Sequence, residues 1–481
     1  MSNWFEVLAK TDEKFELSKK IDTQKFIPSQ FFDWNLISLI EFFSGWSKTR
    51  NLELNVLWLS DGVSKFFGSE FKNVDDAFGA ALTSHGIKHE HINAAEYLNI
   101  KSEEIHASVL LIPPLIELIK SKKCSCICVL GSGSLTDLIK ESLARSELNL
   151  PFVVVPTALT VTAFTSAFAV LEESGAKRTR RSRNIDLVLW WGEVLSCAPV
   201  PFSRAGYGDL LARFVAYADW KLAHFLNMCE RYDVLAFELM EPFAEALKSC
   251  AGDFKIGPLS LETTEKLAAC LSMAGIAMSV SGETTPLSGF EHTISHALDF
   301  LRISRGEPLV LHGEQVALAT LASARCWDWV LSLKTEDLEF RSIEHLEENE
   351  VLKFIERLIQ DAPNLVASKS ADELSDAAQE FCKDYSKKSK KWQIEKDFFR
   401  EKVQNWPFIV KELKKLVVSA EVIEGLLLAA GLPCVPENTL PSTTALDYRW
   451  AVRFSPFVRA RFCVSDFLFW IGEDPAFISA I

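Results

Sequence analysis

Hydrophobic and polar positions follow two different textures along the chain. In the first two-fifths, short apolar runs stand apart with helix-period segments between them. Asn55 to Ser60 (NVLWLS) ends at Asp61-Gly62, as a buried parallel strand ends at a ligand-facing loop. Cys124 to Leu130, Phe152 to Val155 and Ile185 to Trp190 read as further strands. Helical spacing appears around Val74–Leu82, Glu103–Lys120 and Leu135 to about Arg145. Strands alternating with helices predict an α/β domain with a mainly parallel sheet. After about Pro201 the period-two pattern fades. Leu210–Leu226, Thr264–Met273, His292–Leu301, Glu314–Leu333, Val351–Ile359 and Pro407–Val418 all read as helices. Pro407 suits a first helical turn, where its missing N–H costs nothing. The expected layout is an N-terminal extension packing on the α/β domain (1–50), the α/β domain itself (51–200) and an all-α domain (201–481).

The stretch Pro151 to Leu171 carries no charge over a length that could span a membrane. Pro151, Pro156 and the hydroxyls Thr157, Thr160, Thr162, Thr165 and Ser166 argue against a helix there. Strand, loop, strand is the expectation, with no membrane span. Met1 to Lys20 is charged throughout and lacks a signal-peptide core, so a cytoplasmic protein is expected. With 51 basic and 65 acidic residues among 481, the net charge of −14 disfavours generic nucleic-acid binding. Cys124, Cys126 and Cys128 alternate along an apolar run and read as strand packing, not metal ligands. The basic runs at 177–183 and 387–391 read as solvated loops or faces, and His85, His89 and His91 as surface residues.

Two constellations carry chemistry. Gly131-Ser132-Gly133-Ser134 follows a strand and opens a helix at Leu135. Glycines there let backbone N–H groups approach a diphosphate, and the helix N-terminus adds partial positive charge. Asp61, ending an earlier strand, is placed to accept hydrogen bonds from an adenosine ribose. The second is Asp209 with His292, His296 and His312, in a chain of only nine histidines. His292 and His296 share one helical face. A carboxylate with neutral imidazoles and open positions suits a catalytic divalent metal.

Taken in order, GSGSLTDLIK (131–140), VPTALTVTAFTSAFAVL (155–171), GYGDLLARFVAYADWKLAH (206–224), SGETTPLSGFEHTISHALD (281–299) and LHGEQ (311–315) resemble the sn-glycerol-1-phosphate dehydrogenase family. Its superfamily includes glycerol dehydrogenase, iron-containing alcohol dehydrogenases and 3-dehydroquinate synthase. The tail RARFCVSDFL (459–468) resembles the bacterial branch. The resemblance implies a dehydroquinate synthase-like fold, with a dinucleotide-binding α/β domain, a helical domain and a metal site in the cleft between them. Gly131 to Leu135 would cradle the diphosphate of NAD or NADP, Asp61 would meet the ribose, and Thr157, Thr160 and Ser166 would line the nicotinamide side. Asp209, His292 and His312 fall on the metal ligands, usually zinc, although iron, nickel or manganese fit similar ligands. His296 falls on a substrate-contacting position. The implied reaction is metal-assisted reduction of dihydroxyacetone phosphate to sn-glycerol 1-phosphate, with a small phosphorylated molecule as the only partner besides the cofactor. The oligomeric state stays open, a homodimer among the options.

One departure stands out. Where the family usually has a substrate-binding aspartate, this chain has Thr162, in Thr160-Val161-Thr162. Threonine still donates and accepts a hydrogen bond, but it is neutral and shorter. Two alternatives follow: the same scaffold acting on a different hydroxyketone or polyol, or a catalytically silent nucleotide-binding homologue. A dehydroquinate-synthase-like cyclisation fits less well, since that branch has Gly-Gly-Lys where this chain reads Thr165-Ser166-Ala167. Lys65 is the one cation close behind Asp61, and the sequence leaves NAD against NADP undecided.

Overall fold

Six strands build one sheet in the computed structural model, which describes residues 4–15, 27–70, 72–102, 105–173, 176–255, 257–338, 348–365 and 370–480. They are β1 (Ser29–Asp33), β2 (Asn55–Ser60), β3 (Lys88–Asn93), β4 (Cys126–Gly131), β5 (Phe152–Pro156) and β6 (Leu187–Trp191). Their order is β1-β6-β5-β4-β2-β3, and every neighbouring pair is parallel. β2, β4, β5 and β6 are almost wholly buried, which explains their unbroken apolar runs. On one face, Trp58, Cys126, Cys128, Val153, Val155, Leu187 and Leu189 pack with Leu39, Ile40 and Phe43 of the helix Leu36–Thr49. Cys126 and Cys128 are therefore core residues, as their alternation suggests.

The strand order reverses between β2 and β4. After β2 the chain moves outward to β3, then returns to the other side of β2 as β4 and continues to β5 and β6. Such a reversal opens a crevice at the carboxyl ends of the two strands. Ser60 pairs with Leu130 there, so Asp61 and Gly131 leave the sheet side by side. From Gly131 the chain enters α1 (Gly133–Ser146). Two further helices frame this half, α2 (Val200–Leu210) and α3 (Leu261–Ser281).

The chain divides into two compact units. Of the described residues, the first takes in Met1–Glu173, Arg178–Tyr207 and Glu238–Gly282. The second takes in Ser174–Lys177, Gly208–Phe237 and Glu283–Ile481. The second is helical, and α4 (Phe290–Arg305) packs against α5 (His312–Val330) and α6 (Ala445–Val458). α7 (Val464–Ile471) follows near the C-terminus.

The region before residue 50 contains β1 and the helix Leu36–Thr49 among its elements. Several local expectations change. The helix expected over Glu103–Lys120 begins only at Ile112, because Pro113 and Pro114 are tolerated in a first turn and not inside. His89 and His91 lie on the edge strand β3, where His91 is exposed, as expected, while its ring also stacks on Trp58 with centroids 3.8 Å apart. The segment 210–226 is interrupted by a 3-10 turn at Leu211–Phe214. The run 387–391 lies within the helix Ala371–Val403, and Lys388 is buried against Asp466 at 2.7 Å. The helix opening at Trp406 does hold Pro407 in its first turn, but it stops at Leu413. Among the described residues, no helix is long and apolar enough to cross a membrane.

Candidate functional site

Each compact unit carries one group of the candidate residues. In the first, α1 starts directly after β4, and its N-cap Ser132 makes no side-chain capping bond. The first-turn N–H groups are thus not taken by that side chain. A Cβ at Gly133 would come within 2.5 Å of Val161 Cγ2, so a larger residue there would force Val161 to move. Gly131 lies against the Asp61 carboxylate, which would be 3.3 Å from a Cβ. Gly131, Ser132, Gly133, Ser134 and Leu135 therefore form one turn beside Asp61.

The loop after β5 holds Thr157, Thr160, Thr162 and Ser166. The Thr157 N–H donates to Gly131 O at 3.1 Å, and its buried Oγ1 has no partner among the described residues. α3 fixes the far end of this loop. The Thr165 hydroxyl donates to Ser272 O at 2.8 Å, and the Ala167 N–H donates to Ser279 Oγ at 2.8 Å. From the other side, the buried Lys140 ammonium donates to Ala163 O and Phe168 O, each at 2.8 Å, and to Asp137 Oδ1 at 2.9 Å. Lys140 and Asp137 stand on α1, so the helix that would hold a diphosphate also holds this loop. Thr162 opens a 3-10 turn, Thr162–Phe164, and is half-buried.

In the second unit, Asp209, His292 and His312 bring one ligand atom each within 4.8 Å of one another. Asp209 Oδ1 lies 3.4 Å from His292 Nε2 and 3.7 Å from His312 Nε2. These are ion-pair distances without the alignment of hydrogen bonds, and Asp209 Oδ1 is buried. Gly208 makes the approach possible, since a Cβ there would collide with Gly313 O and lie 2.9 Å from Ala317 Cβ.

The opposite ring nitrogens are already engaged. His292 Nδ1 faces Glu291 Oε1 at 2.9 Å. His312 Nδ1 lies 3.2 Å from Ser295 Oγ, whose hydroxyl donates to Gln315 Oε1 at 2.7 Å. Nδ1–H is therefore the tautomer this network favours, which turns both Nε2 lone pairs and a carboxylate oxygen toward one point. Such a donor set suits a divalent cation, with positions left open for substrate.

Charge follows the same geometry. Burial pulls the His292 imidazolium down, but the Asp209 and Glu291 carboxylates outweigh it and raise its pKa to about 9, so a cation binding at Nε2 would have to displace a proton there. Burial alone dominates at His312 and lowers it to about 4. Burial would raise Asp209, yet the two imidazoles hold it below the usual carboxylate range. His296 is pushed well below its ordinary value by burial and by nearby Arg459. It stands apart from the trio, with its ring 6.1 Å from that of His312 and its Nδ1 buried without a partner among the described residues.

Residues that the sequence did not single out complete this centre: Glu291, Ser295 and Gln315. All three sit inside the quoted strings, one or three residues from a histidine. Spacing of that kind could have marked them as groups that orient a metal-binding imidazole.

Comparison with known proteins agrees with this architecture. Residues 71–186 match the family described as iron-containing alcohol dehydrogenase. The alcohol dehydrogenase from Oenococcus oeni shares the fold with a TM-score of 0.56 at 12% identity, over 94% of this chain and 99% of that one. A 1,3-propanediol oxidoreductase gives 0.53 at 14% identity, over 95% and 97%. The fold is thus that of the iron-containing alcohol dehydrogenases. In sequence, part of the chain is similar to curated glycerol-1-phosphate dehydrogenases. It is 34% identical to that of Methanosarcina barkeri over 40% of this chain and 51% of the relative. It is 30% identical to that of Thermococcus sibiricus over 48% and 63%. The chain spans between half and two-thirds of the length of these two curated relatives.

Proposed function

We propose that the protein is a metal-dependent NAD(P)H oxidoreductase that reduces dihydroxyacetone phosphate to sn-glycerol 1-phosphate. The observation that carries this reading is the convergence of Asp209, His292 and His312 on one point, each imidazole braced from behind. The relatives bearing the name glycerol-1-phosphate dehydrogenase [NAD(P)+] support the substrate.

The residues divide the work. Backbone N–H groups from Gly131 to Leu135 would hold the cofactor diphosphate, and Asp61 the adenosine ribose. Thr157, Thr160 and Ser166 would line the nicotinamide, on a loop that α1 and α3 hold from both ends. The nicotinamide supplies the hydride when bound. Asp209, His292 and His312 would hold the metal, zinc being favoured by the ligand set, with iron, nickel or manganese also compatible. A cation held by Asp209, His292 and His312 would supply Lewis-acid polarisation of the substrate carbonyl. His296 would offer to a substrate oxygen its Nδ1, which is buried without a partner among the described residues. The product proton comes from water, directly or by way of His296.

Thr162 supports a second reading, in which the same machinery reduces another hydroxyketone. A neutral hydroxyl in place of a carboxylate removes one anionic contact to substrate hydroxyls. Assay of zinc-reconstituted protein on dihydroxyacetone phosphate and on unphosphorylated hydroxyketones separates the two. Metal-dependent turnover of dihydroxyacetone phosphate supports the first reading. Turnover only of another ketone, with dihydroxyacetone phosphate gained on Thr162→Asp, supports the second. Failure of every ketone with metal and cofactor bound contradicts both.

A further inference from the structure

The carboxylate at the end of β2 does not stand alone. Asp61 Oδ1 accepts the Val63 N–H at 3.1 Å and forms an ion pair with the Lys65 ammonium. Its other oxygen faces Gly131. Asp61 is buried, and the Lys65 side chain is 20% exposed, so the pair sits at the rim of the crevice between β2 and β4. Gly62, at φ 78°, turns the chain back on itself so that Lys65 can reach Asp61. Asn93 and Ser102 close the other side: a Cβ on Gly62 would lie 2.5 Å from Asn93 Oδ1 and 2.9 Å from Ser102 Oγ.

A lone carboxylate at this place accepts the ribose 2′- and 3′-hydroxyl protons and repels a 2′-phosphate. Here an ammonium rests on that carboxylate and cancels its charge. Lys65 also has a flexible four-carbon stem, which lets it leave Asp61 for a nearby phosphate oxygen. We propose that Lys65 is the specificity-determining residue for the cofactor: it masks Asp61 and supplies the counter-charge that admits NADPH beside NADH. The inference rests on the dinucleotide reading above.

The test is fluorescence titration of the full-length protein with NADH and NADPH, using the wild type, Lys65→Met and Lys65→Arg. The wild type binds both dinucleotides. Lys65→Met weakens NADPH by about tenfold or more, the loss expected for one charge-assisted hydrogen bond, and changes NADH by less than about threefold. Lys65→Arg keeps NADPH binding. Equal loss of both dinucleotides in Lys65→Met, or a wild type that binds NADH and not NADPH, overturns this inference alone. Binding of neither dinucleotide by the wild type overturns the dinucleotide reading and this inference with it.

Discussion

Glu291 Oε1 lies 2.9 Å from Nδ1 of His292 and also accepts the Gly289 N–H at 2.6 Å. A carboxylate so held fixes the ring's orientation and tautomer, and so aims Nε2 at Asp209. The segment is anchored in turn by the buried Asp219, which accepts the Phe290 N–H at 2.7 Å and the Val464 N–H at 2.9 Å. The proposed metal centre is thus set at the start of α4 by groups that need not touch the metal.

Glu291→Gln keeps the shape of this contact and removes its charge. Zinc affinity, measured by competition with a chromophoric chelator, is expected to fall about 10- to 100-fold, the usual cost of losing such a partner. The melting temperature should change little. Unchanged zinc affinity would show that Glu291 has no part in positioning His292.

Gly208→Ala drives a methyl group against Gly313 O and Ala317. Overpacking of this kind costs about 1–3 kcal/mol, and relief requires α5 to move, taking His312 with it. Chemical denaturation should report the loss of stability, and zinc titration a weakened site. A variant with wild-type stability and zinc affinity would contradict the role given to Gly208.

Lys388 and Asp466 form a buried ion pair at 2.7 Å, and the ammonium also donates to Pro456 O at 2.5 Å. Lys388→Met leaves Asp466 without its counter-charge, for an expected loss of about 3–5 kcal/mol. Adding Asp466→Leu should recover part of it. Denaturation of the single and double variants checks this; equal losses added together would show that the two residues act independently.

This pair also marks where the sequence was silent. A run of lysines reads as a solvated face, and only the packing of the helix Ala371–Val403 near α7 shows that one of them points inward. β3 escaped notice for the related reason that an edge strand need not alternate, and its Lys-His-Glu-His pattern resembles a loop. The buried strands were legible because both faces are covered, which turns them into apolar runs. The glycine turn and the trio Asp209, His292 and His312 were legible as residue types in ordered strings. Their grouping as a metal set was expected as well; the close helix contact at Gly208 that lets α2 approach α5 was not.

His91 carries a pH dependence with a definite sign. Burial on Trp58 lowers its pKa below 6.5, against the opposing pull of Asp75. Below 6.5 the unfolded chain takes up this proton more readily than the folded one, so stability falls as pH drops from 6.5 through the folded value. Above 6.5 the residue contributes no slope. His91→Gln keeps a hydrogen-bonding group beside Ser60 and should flatten part of the decline in melting temperature between about pH 7 and pH 5. An identical slope in wild type and variant would contradict this.

The most direct test of the central claim is dinucleotide oxidation by zinc-reconstituted protein with dihydroxyacetone phosphate, with NADH and NADPH in parallel, for the wild type and Asp209→Asn. The account predicts turnover that disappears on removal of the metal and drops at least about 100-fold in Asp209→Asn, with the fold intact. Equal turnover with and without metal, or none at all in a wild type shown to bind zinc and cofactor, would contradict it.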